Sequence, residues 1–238
     1  MKTVGIVCEG PTDFVILRSV IDTITGEKNE YRRIQPEQNV CGQYGNGWKG
    51  VWKWCQNHSE ILAQYMKDAQ PVLDFLVVQL DGDVSRKEKP VHCKCDSIKC
   101  DFRGISNPLM CDINSCPIVL PCQEHGAPVT GYISHLKGLI NSLLNQSDDV
   151  CVAIPCDSLE TWIVAAYDGL KNVEFVESPW EKIIAHGKSY HDIRIAGGKK
   201  RPVIFQRFAP IVCERWNKIT KLCESARDFE ECILKQFK

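Results

Sequence analysis

Two mostly apolar segments far apart in the chain each end in acidic residues, and this pairing constrains the fold more than any other feature. Residues 2–8 lead into Glu9, and residues 75–80 lead into Asp81 and Asp83. Such runs are typical of strands that are covered on both faces of a parallel sheet. Since the carboxyl ends of parallel strands meet at one edge, we expect Glu9, Asp81 and Asp83 to form one carboxylate cluster for a divalent metal, Mg²⁺ or Mn²⁺. The alternative is that Asp81 and Asp83 form only a polar turn.

The composition allows one sizeable domain with an extension, since 44% of the 238 residues are apolar and 25% are charged. The formal net charge is −1, so any contact with nucleic acid must come from local clusters of charge. No apolar run approaches the ~20 residues of a membrane helix, and Met1 leads into the first strand without a secretory signal. We therefore expect a cytoplasmic protein without membrane contacts.

The apolar periodicity predicts alternating strands and helices, which is the pattern of an α/β fold. In chain order the predicted elements are a helix from Pro11, an extended segment at 32–34, a helix from Val51 to about Lys67, a central strand at Val72–Leu80, a helix at 132–144, a strand at Val150–Pro155, a helix at Ser158–Tyr167 and a mostly helical remainder. We expect residues 1–84 and 129–170 to form the α/β domain and residues 171–238 a helical, partly basic extension.

Residues 85–128 form a polar, cysteine-rich insertion with too little aliphatic content for a core of its own. In a reducing compartment such a segment is more typical of a metal site than of disulfides. Zinc requires four ligands, so the insertion holds either two ions or one ion with spare ligands. The candidate ligands of this structural zinc site are His92, Cys93, Cys95, Cys100, Cys111, Cys116, Cys122 and His125. The cysteines in apolar patterns are expected to be buried thiols: Cys8, Cys55, Cys151, Cys156, Cys213, Cys223 and Cys232.

Three further acids lie near predicted strand ends. Asp13 falls in the first turn after Pro11, where it complements the helix dipole or joins the cluster. Asp157 and Glu160 follow the strand at 150–155. The favoured interpretation is that Asp157 or Ser158 caps the next helix, with Glu160 in its first turn. The alternative is that these acids hold a second metal or position a water.

Basic residues dominate the segment from 182 to 207, where Asp192 is the only acid. Clustered cations among aromatic residues suit contact with phosphates and bases, although such runs also occur as solvated surface. The candidate nucleic-acid contacts are Lys188, Arg194, Lys199, Lys200 and Arg201.

The segment Val7–Asp13 resembles the glutamate motif of TOPRIM domains, and Leu80–Asp83 resembles their Asp-x-Asp motif. The spacing is similar to that of small TOPRIM nucleases related to the OLD family, many of which serve in bacterial anti-phage defence. The resemblance implies that Glu9 is a metal ligand and an acid or base, and that Asp81 and Asp83 hold Mg²⁺. It also implies a nucleic-acid substrate, DNA or RNA, and an ATPase or other defence-system subunit as partner. It covers the first third of the chain and the Val150 strand.

Two other functions fit parts of the pattern. A non-catalytic, zinc-stabilised subunit that binds nucleic acid or a partner would share the insertion and the basic segment. Leu80–Val84 also resembles the first motif of haloacid-dehalogenase phosphatases, with Asp81 as nucleophile and Asp83 as acid or base. In those phosphatases the motif normally lies at the start of the fold. Here Glu9 and the first ~70 residues precede it and would have no role, so we rank the phosphatase third.

Overall fold

A computed structural model of the chain describes residues 1–36, 47–83 and 129–238. Four strands form a fully parallel sheet: β1 (Thr3–Val7), β2 (Glu30–Gln35), β3 (Phe75–Gln79) and β4 (Val150–Ala153). Their order across the sheet is β2-β1-β3-β4. The predicted α/β class with a parallel sheet is therefore confirmed. The predicted insertion at 85–128, with all of its candidate zinc ligands, lies outside the described residues.

Helices connect the strands, as parallel pairing requires. These are α1 (Pro11–Thr25) after β1, α2 (Trp48–His58) and α3 (Leu62–Asp68) before β3, α4 (Val129–Leu143) before β4, and α5 (Glu160–Tyr167) after β4. The first of them begins at Pro11, as predicted, because proline suits the first helical position, where no intrahelical hydrogen bond is lost.

The prediction of a single helix from Val51 to about Lys67 is wrong, since α2 ends at His58 and α3 begins at Leu62. The rings of Trp54 and His58 stack with their centroids 4.3 Å apart. After the break, Tyr65 of α3 packs edge-on against both rings. The aromatic contacts thus fix the angle between two short helices, which periodicity alone does not distinguish from one long helix.

The order of the strands defines a crevice at one edge of the sheet. β1 pairs with β2 on one side and with β3 on the other, so the direction in which strands are added reverses between β1 and β3. In open parallel sheets, ligands bind at the carboxyl ends of the strands where this reversal occurs. Glu9 follows β1 and Asp81 follows β3. The two residues therefore flank this crevice.

Both faces of the sheet are covered, which explains the continuous apolar pattern of its central strands. Phe75 and Val77 face a core shared with α1, α5 and the C-terminal helices, whereas Leu76 and Val78 face a core shared with α2 and α4. This alternation follows from the two-residue period of a strand. Among the helices of the described residues, none combines the length and apolarity needed to cross a membrane.

The chain after Asp168 is mostly helical, as predicted, and packs on the same face of the sheet as α1. It contains α6 (Pro179–Ala185), a short antiparallel hairpin of β5 (Ser189–Tyr190) and β6 (Ile193–Arg194), α7 (Pro202–Glu214), α8 (Trp216–Leu222) and α9 (Glu224–Gln236). The hairpin was not predicted. The buried carboxylate of Glu174 accepts hydrogen bonds from the backbone N–H groups of Glu224 and Ser225, which anchors the start of α9.

Candidate functional site

Glu9 and Asp81 are linked by a direct hydrogen bond across the crevice between β1 and β3. The backbone N–H of Asp81 donates to Oε1 of Glu9 over 2.7 Å. The side chain of Gln79, fully buried in β3, donates from Nε2 to Oδ1 of Asp81 over 2.7 Å. Oε1 of Gln79 accepts from the backbone N–H of Glu9 at 3.2 Å. The structure therefore brings two of the three predicted ligands together and fixes one oxygen of each.

Asp83 is held by the loop that follows β4. Its backbone N–H donates to the carbonyl oxygen of Asp157 over 2.7 Å, and the N–H of Gly82 donates to the carbonyl oxygen of Pro155 over 3.0 Å. A Cβ atom at position 82 would lie 2.8 Å from that same carbonyl oxygen, so only glycine allows this close approach. The turn between the two aspartates is thus packed against the third strand end.

The prediction that Asp157 or Ser158 caps α5 is wrong. The residue that precedes the helix is Leu159, and no side chain caps it. Asp157 instead adopts a left-handed backbone conformation with φ of 62°, and its Oδ2 accepts a hydrogen bond from the N–H of Ser178. Its carboxylate therefore ties the loop after β4 to the segment before α6. Glu160 lies in the first turn of α5, as expected.

Glu160 brings a buried charge to the same edge of the sheet. Its side chain is 1% exposed, and Nζ of Lys200 lies 2.8 Å from its Oε1. Its Oε2 has no hydrogen-bond partner in the part of the chain that the structure describes. Asp13 is also buried, in the first turn of α1. We call the cluster of Glu9, Asp13, Asp81, Asp83 and Glu160 the acidic edge.

Lys200 comes from the segment that sequence analysis assigned to nucleic-acid contact. Its side chain is 41% exposed, and its ammonium lies 5.9 Å from the ring centroid of Trp180. The indole N–H of Trp180 donates to the carbonyl oxygen of Gly198, which anchors the glycine-containing turn. The other four candidate contacts are exposed, and among the described residues they make no ion pair: Lys188, Arg194, Lys199 and Arg201.

Burial, with repulsion between neighbouring carboxylates, raises the pKa values of three carboxyls of the acidic edge. Burial raises the pKa of Glu9 to about 8, with the charges of Asp83 and Asp13 adding to the effect and the N–H of Asp81 opposing it. Burial and the charge of Glu160 raise the pKa of Asp13 to about 7. Burial and the charge of Glu9 hold the pKa of Asp81 well above its usual range. Near neutral pH, part of this charge is neutralised by protons unless a cation is present.

The ammonium of Lys200 offsets part of the remaining negative charge. Partial burial lowers the pKa of Lys200, but the adjacent charge of Glu160 and the more distant charges of Asp81 and Asp13 raise it, and the net direction is upward. Lys200 therefore stays charged at neutral pH. One ammonium does not balance the five carboxylates of the acidic edge.

The acidic edge offers the carboxylate oxygens that Mg²⁺ prefers, but its side chains do not surround an ion on all sides. Among the described residues, no group of three or more His, Cys, Asp or Glu side chains is arranged to hold a metal ion. Mg²⁺ commonly uses one or two carboxylates, several waters and the phosphate oxygens of a substrate. Glu9 and Asp81 fit such a partial site, because hydrogen bonds fix one oxygen of each.

Sequence reasoning missed Gln79, which was counted as part of an apolar strand. Its side chain bridges the backbone of Glu9 and the carboxylate of Asp81. A polar residue inside a fully buried strand must satisfy its hydrogen bonds, and position 79 precedes Asp81 by one strand period. Those two facts together are the signal that could have identified it.

Comparisons of the chain with protein-family models, with curated proteins and with solved structures found no match. The resemblance to TOPRIM nucleases therefore remains a prediction that rests on the two sequence motifs.

Proposed function

We propose that this chain is a Mg²⁺- or Mn²⁺-dependent nuclease of TOPRIM type that cleaves phosphodiester bonds of DNA or RNA. The observation that carries the proposal is the hydrogen bond from Asp81 to Glu9, which couples two acidic strand ends at the reversal point of a parallel sheet. Ligand sites in such sheets lie at this position, and paired carboxylates there suit a hard cation.

Three residues of the acidic edge, together with Gln79, have distinct tasks in this proposal. Asp81 and Asp83 would hold the cation, which would activate water and offset charge on the phosphate. Glu9 would be a ligand of the same cation and would act as an acid or base toward the water and the leaving oxygen. Gln79 orients Asp81 by fixing its Oδ1.

The cations of the C-terminal part would draw the substrate to this edge. Lys200 lies at the acidic edge itself, and Lys188, Arg194, Lys199 and Arg201 are exposed on the segments leading to it. Phosphate contacts from lysine and arginine supply most of the non-specific affinity for nucleic acids. This arrangement would compensate for the repulsion between the phosphate backbone and the carboxylates.

The decisive experiment combines metal binding with cleavage. We expect wild-type protein to bind Mn²⁺, observed by loss of the free Mn²⁺ signal in electron paramagnetic resonance, and to cleave plasmid DNA or structured RNA. Asp81→Asn should lower both Mn²⁺ affinity and cleavage at least about tenfold, because a ligand charge is lost. Asp68→Asn is the matched control, since Asp68 is exposed and lies on α3. Wild-type cleavage by both Asp81→Asn and Glu9→Gln would refute the assignment.

A non-catalytic subunit that binds nucleic acid or a partner is the second candidate. It is favoured by the exposed cations Lys188, Arg194, Lys199 and Arg201, which suit nucleic-acid contact without a catalytic step. Intact nucleic-acid binding by the purified chain, without cleavage in Mg²⁺ or Mn²⁺, would support it. In either case we propose a zinc-stabilised insertion, a cytoplasmic location and, for the nuclease, an ATPase or other subunit of an anti-phage defence system as partner.

A further inference from the structure

Two arginines lie against one aromatic ring between α1 and β2, which is the end strand of the described sheet. The guanidinium carbon of Arg18 lies 5.8 Å from the ring centroid of Phe14, and that of Arg33 lies 6.0 Å from the same centroid. Phe14 and Arg18 are one helical turn apart on α1, whereas Arg33 belongs to β2, so the ring joins the helix to the strand. All three residues are half-buried. We call them the arginine platform.

The two positive charges of the platform are not neutralised within the described residues. Neither arginine forms an ion pair or a hydrogen bond there, and Nε of Arg33 is buried without a partner. Two acids of the same region are paired with other groups. Asp22, one turn beyond Arg18 on α1, lies 3.0 Å from Nζ of Lys28, and Glu27 lies 2.9 Å from the N-terminal ammonium. The platform therefore retains charge for an external anion.

Arg18 also borders open space. It lines a cavity of about 490 Å³ between α1 and α7, together with Gln206 and Cys213. Cys213 is half-buried there, as is Cys232 on α9, so the prediction that all cysteines in apolar patterns are buried is wrong for these two. A phosphate group can thus approach the guanidinium of Arg18 from this cavity.

The platform lies beside the acidic edge, on the flank opposite to Lys200. Phe14 directly follows Asp13, which belongs to the acidic edge. Arg33 lies on the strand at one end of the sheet, whereas Glu160, the partner of Lys200, follows the strand at the other end. Three intervals of about 4.8 Å separate these two strands, which gives about 14 Å. Cations therefore flank the carboxylates on both sides.

Arginine is the residue best suited to bind phosphate at such a place. Its planar guanidinium stays charged at neutral pH and offers N–H donors in a fork that matches two phosphate oxygens. Contact with the Phe14 ring restrains both guanidinium groups and so reduces the entropy that phosphate binding would cost. The platform thus has the charge, the geometry and the access for phosphate.

We propose that the arginine platform binds backbone phosphates of a nucleic-acid strand that crosses the acidic edge from the segment around Lys200. The inference rests on the proposed nuclease function and names its substrate more closely. A strand is favoured over a free phosphate because the cations occur in two groups with carboxylates between them, and only a polyanion contacts both groups. A strand held on both sides of the edge is cut at an internal position rather than at its end.

The first test measures binding without cleavage, in EDTA, by fluorescence anisotropy of a labelled single-stranded DNA. In Arg18→Gln/Arg33→Gln the slope of log affinity against log salt should become shallower by about 1–2, because two phosphate contacts are lost. Arg18→Lys/Arg33→Lys keeps both charges and should keep most of the slope. Arg32→Gln/Lys53→Gln is the matched control, since both residues are exposed and lie on β2 and α2 outside the platform. An unchanged slope in the glutamine variant, or an equal loss in the control, would overturn the proposal.

A measurement on the wild-type chain decides the question if the glutamine variant does not fold. Phenylglyoxal modifies accessible guanidinium groups, and peptide mass spectrometry follows each arginine. The single-stranded DNA should slow the modification of Arg18 and Arg33 several-fold and leave that of Arg32 unchanged. Equal rates with and without DNA would refute a strand at the platform. Equal protection by inorganic phosphate at the same ionic strength would assign the platform to free phosphate and refute it as well.

Cleavage of closed circular single-stranded DNA in Mn²⁺ separates this inference from the nuclease proposal. The wild-type chain should cut it, because a strand without ends can still cross the acidic edge. Asp81→Asn should lose cleavage and keep the binding slope in EDTA, whereas Arg18→Gln/Arg33→Gln should bind DNA more weakly and keep its Mn²⁺ affinity. Cleavage of linear but not circular DNA would refute the crossing strand. If no substrate is cut, the nuclease proposal fails, and the binding slopes still decide whether the platform holds phosphates.

Discussion

The ammonium of Lys200 lies 2.8 Å from Oε1 of Glu160, a carboxylate whose side chain is 1% exposed. The lysine comes from the C-terminal part of the chain, whereas Glu160 begins the helix that follows β4. A buried carboxylate without an opposite charge is strongly unfavourable, so this pair holds the C-terminal part against the acidic edge. Because Lys200 remains 41% exposed, a cation can compete with it for Glu160, and a substrate phosphate can compete with Glu160 for its ammonium.

Removing the charge of Lys200 should make the protein more dependent on divalent cations. In EDTA, Lys200→Met should lower the free energy of unfolding by about 1–3 kcal/mol, because Glu160 loses its ionic partner. Added Mn²⁺ should raise the melting temperature of this variant more than that of wild type. Lys199→Met, at the exposed neighbouring position, should behave as wild type. Equal Mn²⁺ responses of all three proteins would contradict a cation site near Glu160.

Gln79 should prove important for both stability and metal affinity. Gln79→Leu leaves the N–H of Glu9 and Oδ1 of Asp81 without their side-chain partner, which should cost about 1–3 kcal/mol of unfolding free energy. Mn²⁺ affinity should fall as well, because Oδ1 of Asp81 then keeps only the longer hydrogen bond from the N–H of Leu159. Denaturant unfolding and Mn²⁺ titration measure the two effects. Gln64→Leu, which removes an exposed hydrogen bond to Asp68, should leave Mn²⁺ affinity unchanged.

Without metal, the protein should become less stable as the pH rises from about 5 to 8. Folding raises the pKa of Glu9 from 4.5 to about 8 and that of Asp13 from 3.8 to about 7, so the folded state binds more protons across this window. The stabilising protons are fully bound below the unfolded pKa values and are lost as the pH passes the folded values. Thermal melts in EDTA measure this decline.

Two comparisons test the cause of that pH dependence. Glu9→Gln should show a shallower decline in melting temperature than wild type, because position 9 no longer titrates. Saturating Mn²⁺ should also flatten the decline, since the cation replaces the protons. A wild-type melting temperature that rises between pH 5 and 8 in EDTA would show that folding does not raise the pKa values of Glu9 and Asp13.

The zinc prediction concerns residues outside the described part of the chain and rests on composition. The purified protein should contain at least one zinc per chain under reducing conditions, because the insertion lacks an apolar core and concentrates thiols and imidazoles. Replacing Cys111, Cys116 and Cys122 together with serine should lower the zinc content. Elemental analysis measures it, and full zinc retention in the triple variant would disprove the prediction.

The fold class and the meeting of Glu9 with Asp81 could be predicted from the sequence because both follow from strand periodicity and parallel pairing. The partners of Asp157 and Glu160 could not. Asp157 bonds to Ser178 and Glu160 to Lys200, and both contacts depend on how the C-terminal part returns to the sheet. Local patterns of capping residues carry no information about such distant contacts, so the capping interpretation was wrong at Asp157.

The exposed cations that neighbour Lys200 should govern affinity for nucleic acid without affecting the fold. Lys199 and Arg201 are exposed and make no ion pair among the described residues, so their replacement by glutamate removes potential phosphate contacts and adds negative charge without breaking a described ion pair. The double variant should bind DNA or RNA more weakly, and the slope of log affinity against log salt should become shallower by about 1–2, since fewer counterions are released.

Lys171 and Lys235 provide the control for this effect, because they lie elsewhere on the C-terminal part and are also exposed. Their replacement by glutamate changes the net charge of the chain by the same amount. If affinity responds to net charge alone, the slope of log affinity against log salt will become shallower by the same amount in both double variants. The segment around Lys200 would then be ordinary solvated surface. A loss confined to Lys199→Glu/Arg201→Glu would instead place the nucleic acid beside the acidic edge, where Lys200 and Glu160 meet.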